Sequence, residues 1–140
     1  MSHPIRAARR RIQAEHESVV DGIGACADAI VEPWDTARTT NREAVVGGLH
    51  RSLEETGIHG SLPDVLADVV SATGFELQAC PVPAPPYVVV TSRGPILRAT
   101  IDPGRLVIRF DAFDVVRGSH SDRRPAYRRR DDVRLTVVLE

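Results

Sequence analysis

Lysine is absent from this chain of 140 residues, and all 18 basic side chains are arginines. The chain has only two cysteines, Cys26 and Cys80. Their separation fits neither a metal-binding nor a redox motif, so we expect two free thiols. No apolar run approaches the roughly 18 residues that a membrane span needs, and no apolar stretch near the amino terminus predicts a secretory signal. We therefore expect a cytoplasmic protein that does not bind a membrane.

Recognisable catalytic motifs are also missing. The sequence contains no nucleophile elbow and no glycine-rich phosphate loop. The pair Gly22 and Gly24 does not follow a predicted strand, and Gly47-Gly48 falls within a predicted helix, so neither indicates a dinucleotide site. We accordingly expect no cofactor and consider a non-enzymatic function more consistent with the sequence.

Charge is distributed unevenly although the formal net charge is only −1. Residues 1–80 hold 7 arginines and 12 acidic residues, a net charge of −5, whereas residues 81–140 hold 11 arginines and 7 acidic residues, a net charge of +4. An anionic partner would therefore meet the second half of the chain first.

The clearest strand pattern runs from Pro86 to Phe110. The β-branched run Tyr87–Thr91 predicts one strand, and Ile96–Ile101 predicts a second strand after an interruption at Gly94-Pro95. Asp102–Arg105 carries proline and glycine in the order that a type II turn requires. Alternating apolar residues then predict a third strand, at Leu106, Ile108 and Phe110.

Further strands are predicted on both sides of this meander. Alternation predicts a short strand at Phe75–Cys80, continuation of the third strand through Phe113 and Val115, and another strand at Val133–Leu139. Gly118–Pro125 reads as a polar loop, and the proline-rich residues 81–86 predict an extended connector.

The first half predicts helices. Apolar residues recur at spacings of three and four from Ile5 to Ile30, through His16, which predicts one helix of about 27 residues. This helix should stop before Pro33. Thr40–Glu43 has the form of a capping box for a second helix that ends at Gly57, and a third helix is predicted from Ser61 to Gly74.

Together these elements predict an α+β fold in one domain over residues 1–140. A helical half, residues 1–74, would contribute an N-terminal helical hairpin and a third helix. These would pack on an antiparallel β-meander of four to five strands in residues 75–140.

A histidine and glutamate cluster is the only candidate metal site. His16 lies on the apolar stripe, level with His50 when residues are counted from the corner at Trp34, and Glu54 follows His50 by one helical turn. Two imidazoles and a carboxylate could hold a divalent metal with an open coordination position. The alternative is that His16 is a hydrogen-bonded core residue and the other two are solvated.

Arginines dominate the second half and predict a second candidate site. Arg93, Arg98, Arg105 and Arg109 fall on the face of the meander opposite the predicted core. A later cluster is expected in the adjacent loop region. Because guanidinium groups bind phosphates and stack on bases, these residues are candidates for nucleic-acid contact. The predicted nucleic-acid-binding residues are Arg98, Arg109, Arg123, Arg124, Arg128, Arg129 and Arg130.

The segment PAPPYVVVTSRGPILRAT resembles small uncharacterised proteins of haloarchaeal type. The resemblance covers residues 81–110 and carries no catalytic motif. It implies a cytosolic origin, and it implies no activity that could be transferred to this chain.

We therefore predict a protein-binding or assembly module that forms homo-oligomers. The predicted first helix carries an apolar stripe longer than one partner helix of about 16 residues can cover, which would leave a surface for a second copy or another protein. Nucleic-acid binding through the arginines is the first alternative. A metal-dependent enzyme using the histidine and glutamate cluster is the second.

Overall fold

Four helices and five strands make up the part of the chain that the structure, a computed structural model, describes, residues 3–117 and 124–140. The helices are α1 His3–Glu15, α2 Glu17–Val31, α3 Arg42–Glu55 and α4 Ile58–Ala72. The strands are β1 Arg38–Thr39, β2 Val88–Val90, β3 Pro95–Ile101, β4 Gly104–Val116 and β5 Ala126–Leu139.

The strands form one antiparallel sheet in the order β1-β5-β4-β3-β2. The predicted meander is therefore confirmed, with β1 added at the edge beside β5. Buried side chains on one face form a common core with the helices, as in the row Leu97, Ile108 and Val137. The predicted α+β fold is confirmed as a layer of helices on one face of the sheet.

The other face of the sheet, which we call the open face, carries the alternate residues of the same strands. Along the centre of the sheet it presents Val107, opposite Arg98 on β3 and Val138 on β5. No helix among the described residues packs on this side, since the helices share the core with the opposite set of side chains. Any ligand of the sheet would approach here.

The prediction of one long first helix is wrong. The chain forms two helices that break at His16, where the backbone leaves the helical region with φ −126° and ψ 22°. The side chain of His16 contacts Asp68 on α4, so the break lets α1 lie against α4 while α2 packs against α3. No proline or glycine marks the site, which is why the periodic pattern continued through it.

The strand predicted at Phe75–Cys80 is also wrong. These residues form no strand, and they follow the end of α4 at a left-handed Gly74 with φ 86°.

The helix α4 begins at Ile58, three residues earlier than the predicted start at Ser61, because a left-handed Gly57 both ends the α3 region and starts α4. The helix α3 is capped by Asn41, whose side chain accepts from the Ala44 N–H.

Strand β5 is longer than expected, because it begins at Ala126 and not at Val133. Arg128, Arg129 and Arg130 therefore belong to a strand and not to a loop. Most of the predicted loop, residues 118–123, lies outside the described residues.

The pairing of β4 with β5 is interrupted by a large bulge. Asp111 pairs with Arg134 and Phe113 pairs with Arg129, so residues 130–133 of β5 lie opposite the single residue Ala112. On the other side of β4, the carbonyl of Arg93 accepts from the N–H groups of both Ala112 and Phe113. The neighbouring Gly94 approaches the carbonyl of Phe110 so closely that a Cβ there would collide with it.

Candidate functional site

Strand register, together with the bond from Arg130 to Asp114, assigns seven arginines to the open face. They outnumber the acidic residues that the same register places there, Asp111, Asp114 and Glu140. The seven are Arg38, Arg98, Arg105, Arg109, Arg128, Arg130 and Arg134. This face is therefore cationic.

Three of these arginines surround Val107, and we call Arg98, Arg105 and Arg109 the arginine triangle. Arg98 lies directly opposite Val107, and the other two lie two residues to either side of it on β4. Alternate residues of a strand are about 7 Å apart, so the three side chains share one small area. Val107 itself is only 4% exposed, consistent with arginine stems covering it.

The triangle has no electrostatic partner in the part of the chain that the structure describes. Within residues 3–117 and 124–140, none of its side chains makes a hydrogen bond or ion pair. The Nε of Arg109 is buried and has no hydrogen-bond partner. A buried donor without a partner costs free energy, and an anionic ligand close to the guanidinium would offset part of that cost.

A cleft of about 310 Å³ adjoins the triangle at the β2–β3 edge. The residues that line it include Arg98 and Arg105 of the triangle, the aromatic residue Tyr87, and Pro86 and Leu77. Two guanidinium groups without partners among the described residues, in a cleft that an aromatic residue also lines, suit a ligand that combines an anion with a flat ring.

Three of the four remaining open-face arginines, Arg128, Arg130 and Arg134, are in ion pairs, whereas Arg38 on β1 makes no side-chain hydrogen bond or ion pair within the described residues. Arg130 donates to Asp114 at 2.9 Å, and Arg128 lies 3.5 Å from the same carboxylate. The hydrogen bond from Arg130, and then that from Arg128, holds the pKa of Asp114 below its ordinary value. Asp111 lies 3.8 Å from Arg134. These pairs neutralise part of the open face around the β4–β5 bulge. Among the described residues, the unpaired charge of this face therefore lies at the triangle and at Arg38.

Arg129 is a structural residue. Its side chain is 16% exposed and points to the helical side, where it donates to Asp28 at 3.0 Å and to the Gly24 carbonyl at 3.2 Å. It also donates to the carbonyls of Ala112 and Arg130 inside the bulge. Arg129 is one of the predicted nucleic-acid-binding residues. Its side chain lies on the helical side of the sheet, where its bonds attach α2 to β5, and it is therefore not part of the open face.

Arg124 precedes the start of β5 by two residues. Arg124 donates to Thr40 at 2.8 Å beside the short strand β1. Arg123 lies outside the described residues. The predicted set therefore divides, with Arg98 and Arg109 on the open face without partners, Arg128 and Arg130 there in ion pairs, and Arg124 and Arg129 engaged elsewhere.

His16 does not join the histidine and glutamate cluster. Its Nε2 donates to Asp68 Oδ2 at 2.6 Å, and the same carboxylate receives two bonds from Arg11 at 2.8 and 2.9 Å. These bonds, first from Arg11 and then from His16, lower the pKa of Asp68 to about 2. We call Arg11, His16 and Asp68 the Asp68 triad. It attaches the break between α1 and α2 to α4, so His16 is a hydrogen-bonded structural residue and not a member of the histidine and glutamate cluster.

His50 and Glu54 do lie together, and the third member of their cluster is His59. The Nε2 of His50 is 3.7 Å from a Glu54 oxygen, and the rings of His50 and His59 are 4.6 Å apart. Desolvation, and then the neighbouring His50, lowers the pKa of His59. His59 was not singled out from the sequence, although its position two residues after Gly57 is the signal that could have indicated it.

The fold and these contacts define an α+β protein with a cationic open sheet face. The chain matches the family model described as a domain of unknown function, DUF7988, over residues 6–140. It therefore belongs to this family, which agrees with the resemblance to uncharacterised proteins. No curated protein matches the chain. No solved structure matches it. None of the helices in the described residues is both long and apolar enough to cross a membrane.

The Asp68 triad predicts acid-sensitive stability. Because the pKa of Asp68 falls from 3.8 to about 2 on folding, its contribution is present above about pH 4 and is lost as the pH falls through about 2. Asp68→Asn should lower the free energy of unfolding by about 1 kcal/mol at pH 7, a value that allows for solvent screening of a partly exposed pair. Urea titrations at pH 7 and pH 2 would measure it.

The matched control for this measurement is Asp64→Asn. Asp64 is exposed on the same helix and has no ion-pair partner within the described residues. It should leave the free energy of unfolding unchanged at both pH values. A difference between Asp68→Asn and the original chain that stays constant from pH 7 to pH 2 would contradict the role given to the triad.

Proposed function

We propose that this protein binds single-stranded nucleic acid across the open face of its sheet. In this proposal the arginine triangle of Arg98, Arg105 and Arg109 contacts phosphates, and Tyr87 in the adjoining cleft stacks on a base. The observation that carries the proposal is the group of three guanidiniums around the buried Val107, which have no partner among the described residues.

The charge distribution of the chain supports an anionic ligand at this face. Residues 1–80, which form the helical layer together with β1, carry a net charge of −5, whereas residues 81–140 carry +4. An anionic polymer would be repelled by the helices and attracted to the sheet. The small net charge of the whole chain conceals this polarity, and the polarity would orient the encounter.

The cleft favours nucleic acid over an acidic protein. A chain of carboxylates would use the guanidiniums alone, whereas a nucleotide also offers a flat base for the ring of Tyr87. Stacking on an aromatic side chain is tolerant of base identity and contributes about 1–3 kcal/mol per base. The cleft volume of about 310 Å³ falls in the range of small ligand sites. One nucleotide is therefore the unit that we expect it to take.

Removing two corners of the triangle tests the proposal. Arg98→Ala combined with Arg109→Ala should weaken binding of a fluorescein-labelled single-stranded oligonucleotide at least about tenfold at low salt. The slope of log affinity against log salt concentration should fall by about 1.4, because each phosphate contact with a single strand contributes about 0.7. Fluorescence anisotropy at several salt concentrations measures both quantities.

A matched control uses arginines on the other side of the molecule. Arg6 and Arg10 are exposed on α1 and have no ion-pair partner within the described residues. Arg6→Ala combined with Arg10→Ala removes the same charge and should leave affinity and slope unchanged. The proposal fails if the original chain does not bind at low salt, or if the two double variants weaken binding equally.

Self-association is a second candidate function, and it now depends on a different surface. The expected helical surface is gone, because the apolar stripe is divided between two helices that both pack in the core. Instead, β5 offers an edge. Strand β1 pairs only with Tyr127 and Arg128, so the rest of that edge of β5 has no strand neighbour among the described residues.

The free part of this edge suits pairing with a second copy. Arg9 donates to the carbonyl of Leu135, which shows that the backbone groups of Leu135 point away from β4. Strand alternation gives Val137 and Leu139 the same direction. Pairing of two β5 strands about a two-fold axis would extend the sheet across two copies and satisfy the outward backbone groups of Val137 and Leu139, whereas the Leu135 carbonyl already accepts from Arg9.

A lysine placed beside this edge tests the second candidate. Val138→Lys puts like charges near each other across the two-fold axis, so it should raise the dimer dissociation constant at least about tenfold. Light scattering over a concentration series measures the change. Val89→Lys, on the same face at the opposite edge of the sheet, is the control and should remain dimeric. A strict monomer at high concentration would refute this candidate.

The haloarchaeal origin and the cytoplasmic location remain predictions and belong to this proposal. Neither bears on the choice between the two functions. The location is compatible with a nucleic-acid ligand, since such ligands are present in the cytoplasm.

A further inference from the structure

The turn between α3 and α4 brings three metal-binding side chains together. His50 and Glu54 are separated by one helical turn on α3. The chain then reverses at Gly57, whose φ of 79° is in the left-handed region that favours glycine. This reversal places His59, in the first turn of α4, beside the last turn of α3.

The donor atoms of these side chains lie close to chelating distance. One ligand atom from each of the three residues lies within 4.8 Å of the other two. His50 and Glu54 are already 3.7 Å apart. Donors around a metal with bonds of about 2.0–2.2 Å stand roughly 3.0–3.5 Å from one another. Closure therefore requires adjustment of side chains by about 1 Å and no movement of the helices.

The chemistry of the donors selects a class of metal. Two imidazoles and one carboxylate suit late first-row divalent ions such as Zn²⁺, whereas Mg²⁺ and Ca²⁺ prefer sites made of oxygen atoms. Three protein ligands leave at least one coordination position for water or for a further ligand. His50 and Glu54 are exposed, so an ion can enter from solvent without opening the fold.

We propose that His50, Glu54 and His59 form a binding site for one divalent transition-metal ion, with Zn²⁺ as the probe. The ion would join the end of α3 to the start of α4 and would retain an open position. The site lies in the helical layer, whereas the arginine triangle lies on the open face of the sheet, so the two sites are independent. His16 takes no part, because Asp68 holds its ring.

Zinc titration of the intact chain, without an affinity tag, tests this site. Calorimetry should show one equivalent of Zn²⁺ bound to the original chain, and the midpoint of thermal unfolding should rise when zinc is present. His59→Ala and His50→Ala should each weaken binding at least about tenfold, since even residues that only support ligands contribute that much. Glu54→Gln, at an exposed position, should weaken it without disturbing the fold.

Three controls distinguish this cluster from other zinc ligands in the chain. His3→Ala removes a histidine beside Ala72, at the end of α4 about 20 Å from His59. Glu55→Gln alters the exposed carboxylate next to Glu54, and Cys80→Ser removes the exposed thiol. All three should bind one equivalent with unchanged affinity.

The outcomes decide the proposal. Loss of binding in the cluster variants alone supports it. It is overturned if the original chain binds no zinc, if His50→Ala and His59→Ala bind as tightly as the original chain, or if His3→Ala or Cys80→Ser abolishes binding.

Discussion

The guanidinium of Arg129 is the interaction on which the arrangement of helices and sheet depends. It occupies the bulge of β5, where four residues lie opposite Ala112, and donates to the carbonyls that the bulge leaves without strand partners. The same group reaches α2 at Gly24 and Asp28. A Cβ at Gly24 would lie 3.3 Å from the Arg129 guanidinium, which is a tight contact, so the glycine favours this close approach. One side chain thus fixes both the strand register and the position of α2.

This constraint also determines the charge of the open face. Because the bulge shifts the register, Arg128 and Arg130 flank Asp114 on the side away from the helices, and these three groups form ion pairs. Asp111 lies beside Arg134 in the same way. The acidic residues of β4 are thereby engaged near the bulge. The arginine triangle, further along the sheet, is left without a carboxylate partner among the described residues, and the proposed function follows from that excess.

The sequence was informative where structure is determined locally. The strands of the meander were predictable because Gly94 and Pro103 interrupt them, and α+β architecture followed from the change of periodicity between the halves. The predicted type II turn at Asp102–Arg105 was wrong, because Gly104 is already the first residue of β4, paired with Ile101 and with a φ of 158°. Contacts between distant residues were not predictable in this way. The break at His16 depends on Asp68, 52 residues away, and no local residue marks it. The polar run Arg128–Arg130 resembled a loop, yet pairing with β4 makes it strand.

The candidate site shows the same division. Alternation along the strands placed Arg98, Arg105 and Arg109 on one face, which the register bears out. Their lack of ion-pair partners could not be predicted, because it depends on the pairing of Asp114 with Arg128 and Arg130 and of Asp111 with Arg134. Likewise, helical spacing related His50 to Glu54, but His59 required the geometry of the turn at Gly57.

The most direct test of the central claim is to observe the arginine side chains themselves during binding. Nitrogen-15 NMR resolves individual Nε–H signals, and titration with an unlabelled single-stranded oligonucleotide would report which guanidiniums contact it. We predict that the signals of Arg98, Arg105 and Arg109 shift together, while those of Arg129 and of Arg6 on α1 remain in place. Shifts confined to α1, or no shifts at a concentration that saturates binding, would contradict the account.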